Sequence, residues 1–393
     1  MATYPEVQFP VPFAYGTPGE VVFGNGVSRT VGERITALGA GKVVFIADSG
    51  VHSAGLHERV AESLRAANIE FHIFITAPGE PTDLSVQKAV DLIMDVKPDA
   101  VIGMGGGSAM DTAKAAAPVS ANGGSVIEHI HHRGRLKKAG PPVIAMTTTS
   151  GTGAEVTPTT VITDTARKYK DGISGTLCMP RLSICDPELT IGMPVVATAN
   201  AGIDVLCHCI EAYTNMRFNP FSDTVALQGI RIVGRYLCPA VTHGHNLAVR
   251  WQMMWAANLG GLAIAHGGVA DIHAFAGPVS GHHGIAHGRA IAILMPHIMA
   301  FTLPAAIDRY ADIAEALGEP VAGLSRIAAA ECAVTSVRRL VADCGGAQRL
   351  SELGVGEEHI DVMARDGFGR GSRANNARIC GADDVATLYR AAL

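Results

Sequence analysis

The sequence predicts a chain in two parts, a parallel α/β nucleotide-binding domain over residues 1–194 followed by an all-helical domain over residues 195–393. Three observations predict it. Short β-rich apolar runs alternate with amphipathic stretches through the N-terminal part, as βα units do. A glycine turn joins an apolar run to a helix-like one at residues 103–114. Beyond Pro194 the chain becomes alanine-rich, with few β-like runs.

Taken in order, residues 42–48 read as a buried strand, 52–67 as a helix and 71–75 as a second strand. Pro81-Thr82-Asp83 precedes Leu84, Val86, Val90 and Ile93, whose spacing predicts a capped helix lying on a sheet. Residues 99–104 and 142–147 are the next strands, and strand order is not readable from this pattern. In the second part, helices are expected over 199–213, 222–237, 248–265, 270–276, 304–316, 323–344 and 383–391, with Pro304 in a first turn.

Composition narrows the class of function. The 393 residues are 48% hydrophobic and 17% charged, enough apolar material for two cores and a cleft between them. Forty-five glycines against 5% aromatics point to close backbone approaches rather than ring contacts. A net charge of -5 without a long Lys/Arg tract excludes a general nucleic-acid footprint. The most basic run, Arg133-Gly134-Arg135-Leu136-Lys137-Lys138, reads as a solvated loop. The eight cysteines are scattered rather than spaced as a disulfide scaffold, and no leader pattern opens the chain, so a cytoplasmic location is the default expectation. Apolar stretches such as 143–146 and 290–295 are too short to span a bilayer and read as buried elements, with no membrane partner.

Two turns carry the nucleotide chemistry. Gly103-Met104-Gly105-Gly106-Gly107-Ser108 enters a helix whose first N–H groups are free to hold a pyrophosphate, although such a turn is also a common tight connection. Its place after a later strand sets it apart from the usual dinucleotide fingerprint, whose glycines follow the first strand. Thr147-Thr148-Thr149-Ser150-Gly151-Thr152-Gly153-Ala154-Glu155 offers hydroxyls and backbone donors for phosphate or the nicotinamide amide, or else a hydroxyl-capped helix entrance. Asp48, ending its strand, either accepts from an adenosine ribose, favouring NAD over NADP by repelling a 2′-phosphate, or caps the segment that follows.

Metal chemistry is suggested further on. Asp204 and His208 stand four apart on a predicted helix and share a face. With His273 and His287 they make an N3O donor set suited to Fe(II) or Zn(II), which would polarise an alcohol or carbonyl oxygen. His266, His282, His283, Cys207 and Cys209 are further donors; the two cysteines would diverge on a helix, so packing suits at least one of them.

At these residues the chain resembles the iron-containing, or group III metal-dependent, alcohol dehydrogenases. The resemblance rests on Gly105-Gly106-Gly107-Ser108 with Asp111 and Lys114, on Thr148 to Glu155, on Asp186-Pro187-Glu188-Leu189-Thr190, and on Gly202-Ile203-Asp204 through Glu211-Ala212-Tyr213. It implies a dehydroquinate synthase-like fold, Asp204, His208, His273 and His287 as metal ligands, and Asp48 at the ribose. Gly105, Gly106, Gly107, Ser108, Asp111, Thr148, Thr149 and Thr152 would be cofactor residues. It also implies an interdomain active site, a homodimer or larger homo-oligomer, and small alcohols or aldehydes as substrates.

Two departures from the family pattern matter. Gly277 stands where many members carry a second histidine near the substrate; proton exchange would pass to water beside the metal or, as the less favoured route, to His282 or His283. Arg289 replaces a neutral residue and either meets an acidic substrate or a cofactor phosphate or, as the preferred reading, faces solvent or a salt bridge. Lys170 either lines the cleft or, as the preferred reading, is an exposed lysine; Phe275 and Trp255 read as packing residues that also suit a pocket wall, and Asn375-Asn376-Ala377-Arg378 as an altered C-terminal loop. The expectation is an NAD- and metal-dependent alcohol dehydrogenase; the alternatives are a reductase or transhydrogenase for an acidic oxo compound, or a dehydroquinate synthase-like lyase.

Overall fold

The computed structural model describes residues 12–132, 134–167, 169–346 and 349–393. Arg133 of the basic run and the eleven residues on which the absence of a leader was read lie outside them. The strands are β1 (Val21–Phe23), β2 (Lys42–Asp48), β3 (Glu70–Thr76), β4 (Ala100–Gly105), β5 (Val143–Thr147), β6 (Ile162–Asp164), β7 (Tyr169–Asp171) and β8 (Leu182–Cys185). Six of them form one parallel sheet in the order β1-β8-β5-β4-β2-β3, while β6 and β7 pair as an antiparallel hairpin.

The helices of this half are α1 (Val31–Ala37), α2 (Ser49–Ser53), α3 (Leu56–Ala66), α4 (Asp83–Val96), α5 (Gly107–Asn122) and α6 (Val126–His131). Alternation along β2 sends Val43, Phe45 and Ala47 into a core with α1 and α3, and Val44 and Ile46 into another with α4, α5 and α6. From β2 the chain steps outward to β3, then crosses back to place β4 on the other side of β2. That reversal opens a crevice at the carboxyl ends of β2 and β4, the position at which open α/β sheets receive ligands.

The second half holds α7 (Val195–Thr214), α8 (Pro220–Thr242), α9 (Leu247–Gly267), α10 (Asp271–His283), α11 (His287–Thr302), α12 (Ile307–Ala316), α13 (Arg326–Asp343), α14 (Ile360–Phe368) and α15 (Ala382–Ala391). Asparagine side chains start α8 and α9, Asn219 and Asn246 accepting from the first free N–H groups, and Ser325 does so for α13. Both α7 and the stretch His287–Ala305 are long and apolar enough to cross a membrane by length and composition, but 72% and 61% of their apolar windows are buried inside the protein. The run 290–295 is therefore part of a longer apolar helix, not a short element.

Other expectations are refined. The predicted helix 52–67 is broken at Gly55 (φ 69°) into α2 and α3. Helix α10 continues past residue 276, through Pro278, to His283. Pro304 sits in a separate 3-10 turn, Leu303–Ala305, ahead of α12. Residues 135–138 form a surface loop, with Arg135 paired to Glu128 at 2.9 Å and the Lys137 and Lys138 amides donating to Asn122 Oδ1.

A buried cation ties the first half together. Lys114 on α5 is fully buried, and its Nζ donates to Asp111 Oδ1 (3.0 Å), Ala154 O (2.9 Å), Thr157 Oγ1 (3.2 Å) and Thr159 O (2.6 Å). Lys114→Met is expected to cost about 3–5 kcal/mol, because Asp111 and two carbonyls lose their donor in a site closed to water. Urea unfolding followed by circular dichroism measures this, and a loss below about 1 kcal/mol would show that the staple is dispensable.

Candidate active site

The glycine turn leaves β4 at Gly105, whose φ of 153° is rarely adopted by L side chains and whose Cβ would fall on Asp48 Oδ2. Asp48 performs two local tasks. Its Oδ1 accepts from Val51 N at 2.7 Å, capping α2, and its Oδ2 accepts from Gly106 N at 3.1 Å. Gly106 caps α5 without a side chain, so the first-turn N–H groups of that sixteen-residue helix are left without a side-chain partner.

Over this turn lies the threonine loop. Thr148 N donates to Gly105 O at 2.9 Å, a Cβ on Gly106 would touch Thr149 at 3.5 Å, and one on Gly107 would touch Thr152 at 3.0 Å. The hydroxyls of Ser108 and Ser150 are buried without a partner. Gly105, Gly106, Gly107, Ser108, Thr148, Thr149, Thr152 and Asp48 thus come together at one end of the sheet. Asp111 lies a turn deeper and gives its carboxylate to Lys114 and to Val161 N (2.9 Å). The threonine loop does not open an α-helix; it passes Gly153 (φ 61°) into the 3-10 turn Ala154–Val156.

Glycine contacts fix how the loop meets the helical half. A Cβ on Gly153 would lie 2.5 Å from Gly261 Cα on α9, and one on Gly261 would lie 2.5 Å from Gly153 O. Gly288 is pressed equally hard against the Asn200 carbonyl of α7, which seats the start of α11, and His287 with it, beside α7.

On α7, Asp204 and His208 face α10. His208 Nε2 is 3.6 Å and His273 Nε2 3.7 Å from Asp204 Oδ1, and one ligand atom from each of the three lies within 4.8 Å of the others. The His273 ring stands 4.9 Å from that of His208 and 5.4 Å from that of His287. Asp204 Oδ1, His273 Nε2 and His287 Nδ1 are buried with no hydrogen-bond partner. Burial lowers His208 to about 4 and His287 to about 3, keeping both imidazoles neutral with lone pairs available. Such a donor set fits a borderline divalent ion.

A residue not singled out as a site member controls this cluster. Glu211, one turn beyond His208, is buried, and its carboxylate accepts from Ala270 N (2.9 Å), Ile272 N (2.5 Å) and His273 Nδ1 (2.6 Å). One side chain therefore caps α10 and turns the His273 ring so that Nε2 faces Asp204. Burial alone would lower His273, but its neighbours Cys207, Glu211 and Asp204 outweigh it and raise the ring well above its ordinary range. Cys207 Sγ lies 3.6 Å from His273 Nδ1, and burial pushes its thiol up to about 12. Cys209 packs toward Gly229 of α8, outside the cluster.

The remaining candidates are elsewhere. His266 packs against Phe221 and Tyr15. His282 pairs with Asp366 at 2.7 Å and His283 lies against the His359 ring. They begin nine residues after His273, roughly 14 Å along the helix axis, which distances both from the cluster. Arg289 is exposed and makes no ion pair among the described residues. Lys170 is not the exposed lysine expected, for its side chain is 13% exposed and pairs with Glu80 at 2.5 Å. Phe275 packs on Tyr389, and Trp255 on Phe23. Asn375 Nδ2 donates to Val269 O at 2.8 Å, holding the C-terminal loop against the approach to α10.

Glu211→Gln is expected to weaken metal binding about 10- to 100-fold, since an amide orients His273 without the charge that raises its basicity. Titration of the metal-free protein with Co(II), followed by its visible spectrum, gives the midpoint; an unmoved midpoint would leave Glu211 a helix cap alone.

Comparison with known proteins agrees with this geometry. Residues 18–187 match the family model for iron-containing alcohol dehydrogenase, and residues 198–393 the model for the C-terminal part of the Fe-containing alcohol dehydrogenase family. The chain is 38% identical to NAD-dependent methanol dehydrogenase of Bacillus methanolicus, covering 96% of this chain and 98% of that protein. It is 35% identical to 1,3-propanediol dehydrogenase of Klebsiella pneumoniae, over 97% and 98% of the two chains. A crystal structure of 1,3-propanediol oxidoreductase superposes with a TM-score of 0.95 at 35% identity, covering 98% of this chain and all of that one. The chain belongs to the iron-containing alcohol dehydrogenase family and is an enzyme of that metal-dependent, nicotinamide-linked class.

Proposed function

We propose that the protein interconverts small primary alcohols and their aldehydes with NAD, using Asp204, His208, His273 and His287 to hold the metal. The observation that carries this reading is the convergence of buried, unpartnered donor atoms, Asp204 Oδ1 and His273 Nε2, between α7 and α10. The relatives' names, which specify methanol and 1,3-propanediol, support a small alcohol. When bound, the metal supplies Lewis-acid polarisation of the substrate oxygen and NAD supplies the hydride acceptor.

The chain's own residues bind and orient. Gly105, Gly106, Gly107 and Ser108 offer the α5 N-terminus to the pyrophosphate, and Thr148, Thr149 and Thr152 bound the nicotinamide side. Asp48 meets the ribose with lone pairs beyond those given to Val51 and Gly106, since each carboxylate oxygen accepts more than one hydrogen bond. Gly277 cannot move a proton, and His282 and His283 are distant, so water exchanges it. The domain boundary is placed at residues 194 and 195, where α7 begins, with function in the cytoplasm as a homodimer or larger homo-oligomer.

Asp48→Ser is expected to lower the kcat/KM preference for NAD over NADP by at least about tenfold, by removing the charge that repels a 2′-phosphate; an unchanged ratio would reject the ribose assignment. Anaerobic loading with Fe(II) or Zn(II), followed by NADH formation from ethanol and 1,3-propanediol, tests the reaction. His208→Ala is expected to lose the metal and at least about a thousandfold in rate. Properly metallated protein that moves no hydride would end the proposal. Net NADH accumulation separates it from a transhydrogenase or a dehydroquinate synthase-like lyase, which return the cofactor unchanged.

A further inference from the structure

One guanidinium near the cluster has no anionic partner. Helix α10 carries His273, Gly277 and Gly281 at four-residue spacing, hence along one face. At Gly277 an added Cβ would sit 3.2 Å from Cζ and Nη2 of Arg370, so the guanidinium lies against bare helix backbone. That position is one turn from His273, roughly 6 Å along the axis. Gly281, a turn further, lines a cavity of about 650 Å³ together with Arg167, Tyr169, His282 and Asp366.

Arg370 is held but not neutralised. Its Nη1 donates to Lys170 O at 3.0 Å, its Cζ stands 4.2 Å over the Tyr169 ring, and its Nε is buried with no acceptor. Among the described residues no carboxylate lies within ion-pair distance of it. Arg309, Arg326 and Arg390 each pair with an acid, and the buried Arg250 has three oxygen acceptors. Asp366, four residues before Arg370, is already paired with His282, and Glu80 with Lys170. A partly desolvated guanidinium with free donors is a fork shaped for a carboxylate, sulfonate or phosphonate.

We infer that Arg370 is a specificity-determining residue that binds the anionic end of a short hydroxy acid or its aldehyde, with Gly277 kept bare so that the guanidinium can lie beside α10. This rests on the proposed alcohol oxidation. A single-turn separation from His273 suits a substrate whose hydroxyl and acid groups are about three carbons apart. The cation that reads an acidic substrate is thus Arg370, reached across the fold, and not the exposed Arg289.

The test compares 3-hydroxypropionate with 1-propanol in the metallated protein with NAD. The ratio of their kcat/KM values is expected to favour the acid, and to fall roughly a hundredfold in Arg370→Ala and in Gly277→Leu, which displaces the guanidinium without removing its charge. Arg370→Lys retains an intermediate ratio. Malonate, which has no oxidisable carbon, is titrated calorimetrically into the same proteins; binding lost in Arg370→Ala supports the inference even if no alcohol turns over, so that outcome would sink the reaction and not the anion site. A ratio unaltered in Arg370→Ala and Gly277→Leu, or malonate binding equal in wild type and Arg370→Ala, overturns it. Melting curves and the Arg370→Lys variant separate loss of fold from loss of recognition.

Discussion

The candidate metal centre depends on one carboxylate carried into an apolar helix bundle. Glu211 belongs to α7, and all it accepts from belongs to α10 or the turn before it. Left without those donors, a buried carboxylate would be costly, so the register of α10 against α7 is set by the need to satisfy it. Once that register is set, His273 has no freedom of ring orientation, since its Nδ1 is committed and only Nε2 can face Asp204. The three donor atoms are consequently brought close without hydrogen-bonding one another, an arrangement that a collapsing core would otherwise eliminate.

The two halves approach closely through backbone at glycines, besides side-chain contacts such as Asn258 to Glu155 and Phe23 on Trp255. Gly153 against Gly261 allows the threonine loop to rest on α9 without an intervening Cβ, and Gly288 against Asn200 does the same for α11 on α7. Lys114 holds that loop from the other side. These contacts place the cofactor turn and the donor cluster in a fixed relation, which hydride transfer requires because reactivity falls steeply with small displacements. The high glycine content and low aromatic content are intelligible in these terms.

Much of this was legible because its causes are local. Strands β2 to β5 show as apolar runs, α4 as a Thr82-capped amphipathic helix, and the pair Asp204 and His208 as one helical turn. What escaped depends on partners distant in sequence. Strands β1 and β8 are three and four residues long, and Val21 pairs with Ser183 across most of the first half. The hairpin of β6 and β7 and helix α14 were likewise not anticipated. Glu211 did leave a signal: it follows Asp204 by seven residues and His208 by three, so three ionisable groups share one face of an otherwise apolar helix. Arg289 drew attention by its nearness in sequence to His287, whereas Arg370 reaches Gly277 across ninety-three positions and no local pattern reports it.

Gly277 and Arg370 are best understood as one feature. A side chain with a Cβ at that position would press on the guanidinium, so the bare backbone and the cation permit each other. The exchange has a chemical consequence. An imidazole there would accept or release a proton near neutrality, while a guanidinium stays charged and only attracts. On this proposal proton exchange is separated from substrate orientation: the first would fall to water, and the second to a fixed charge braced by Tyr169 and the Lys170 carbonyl. A divalent ion held by Asp204, His208, His273 and His287 would add a second positive centre, and the two would repel in an empty pocket. A ligand carrying an oxygen for one and an anion for the other relieves that repulsion, which makes the charge arrangement selective for a substrate that is polar at both ends.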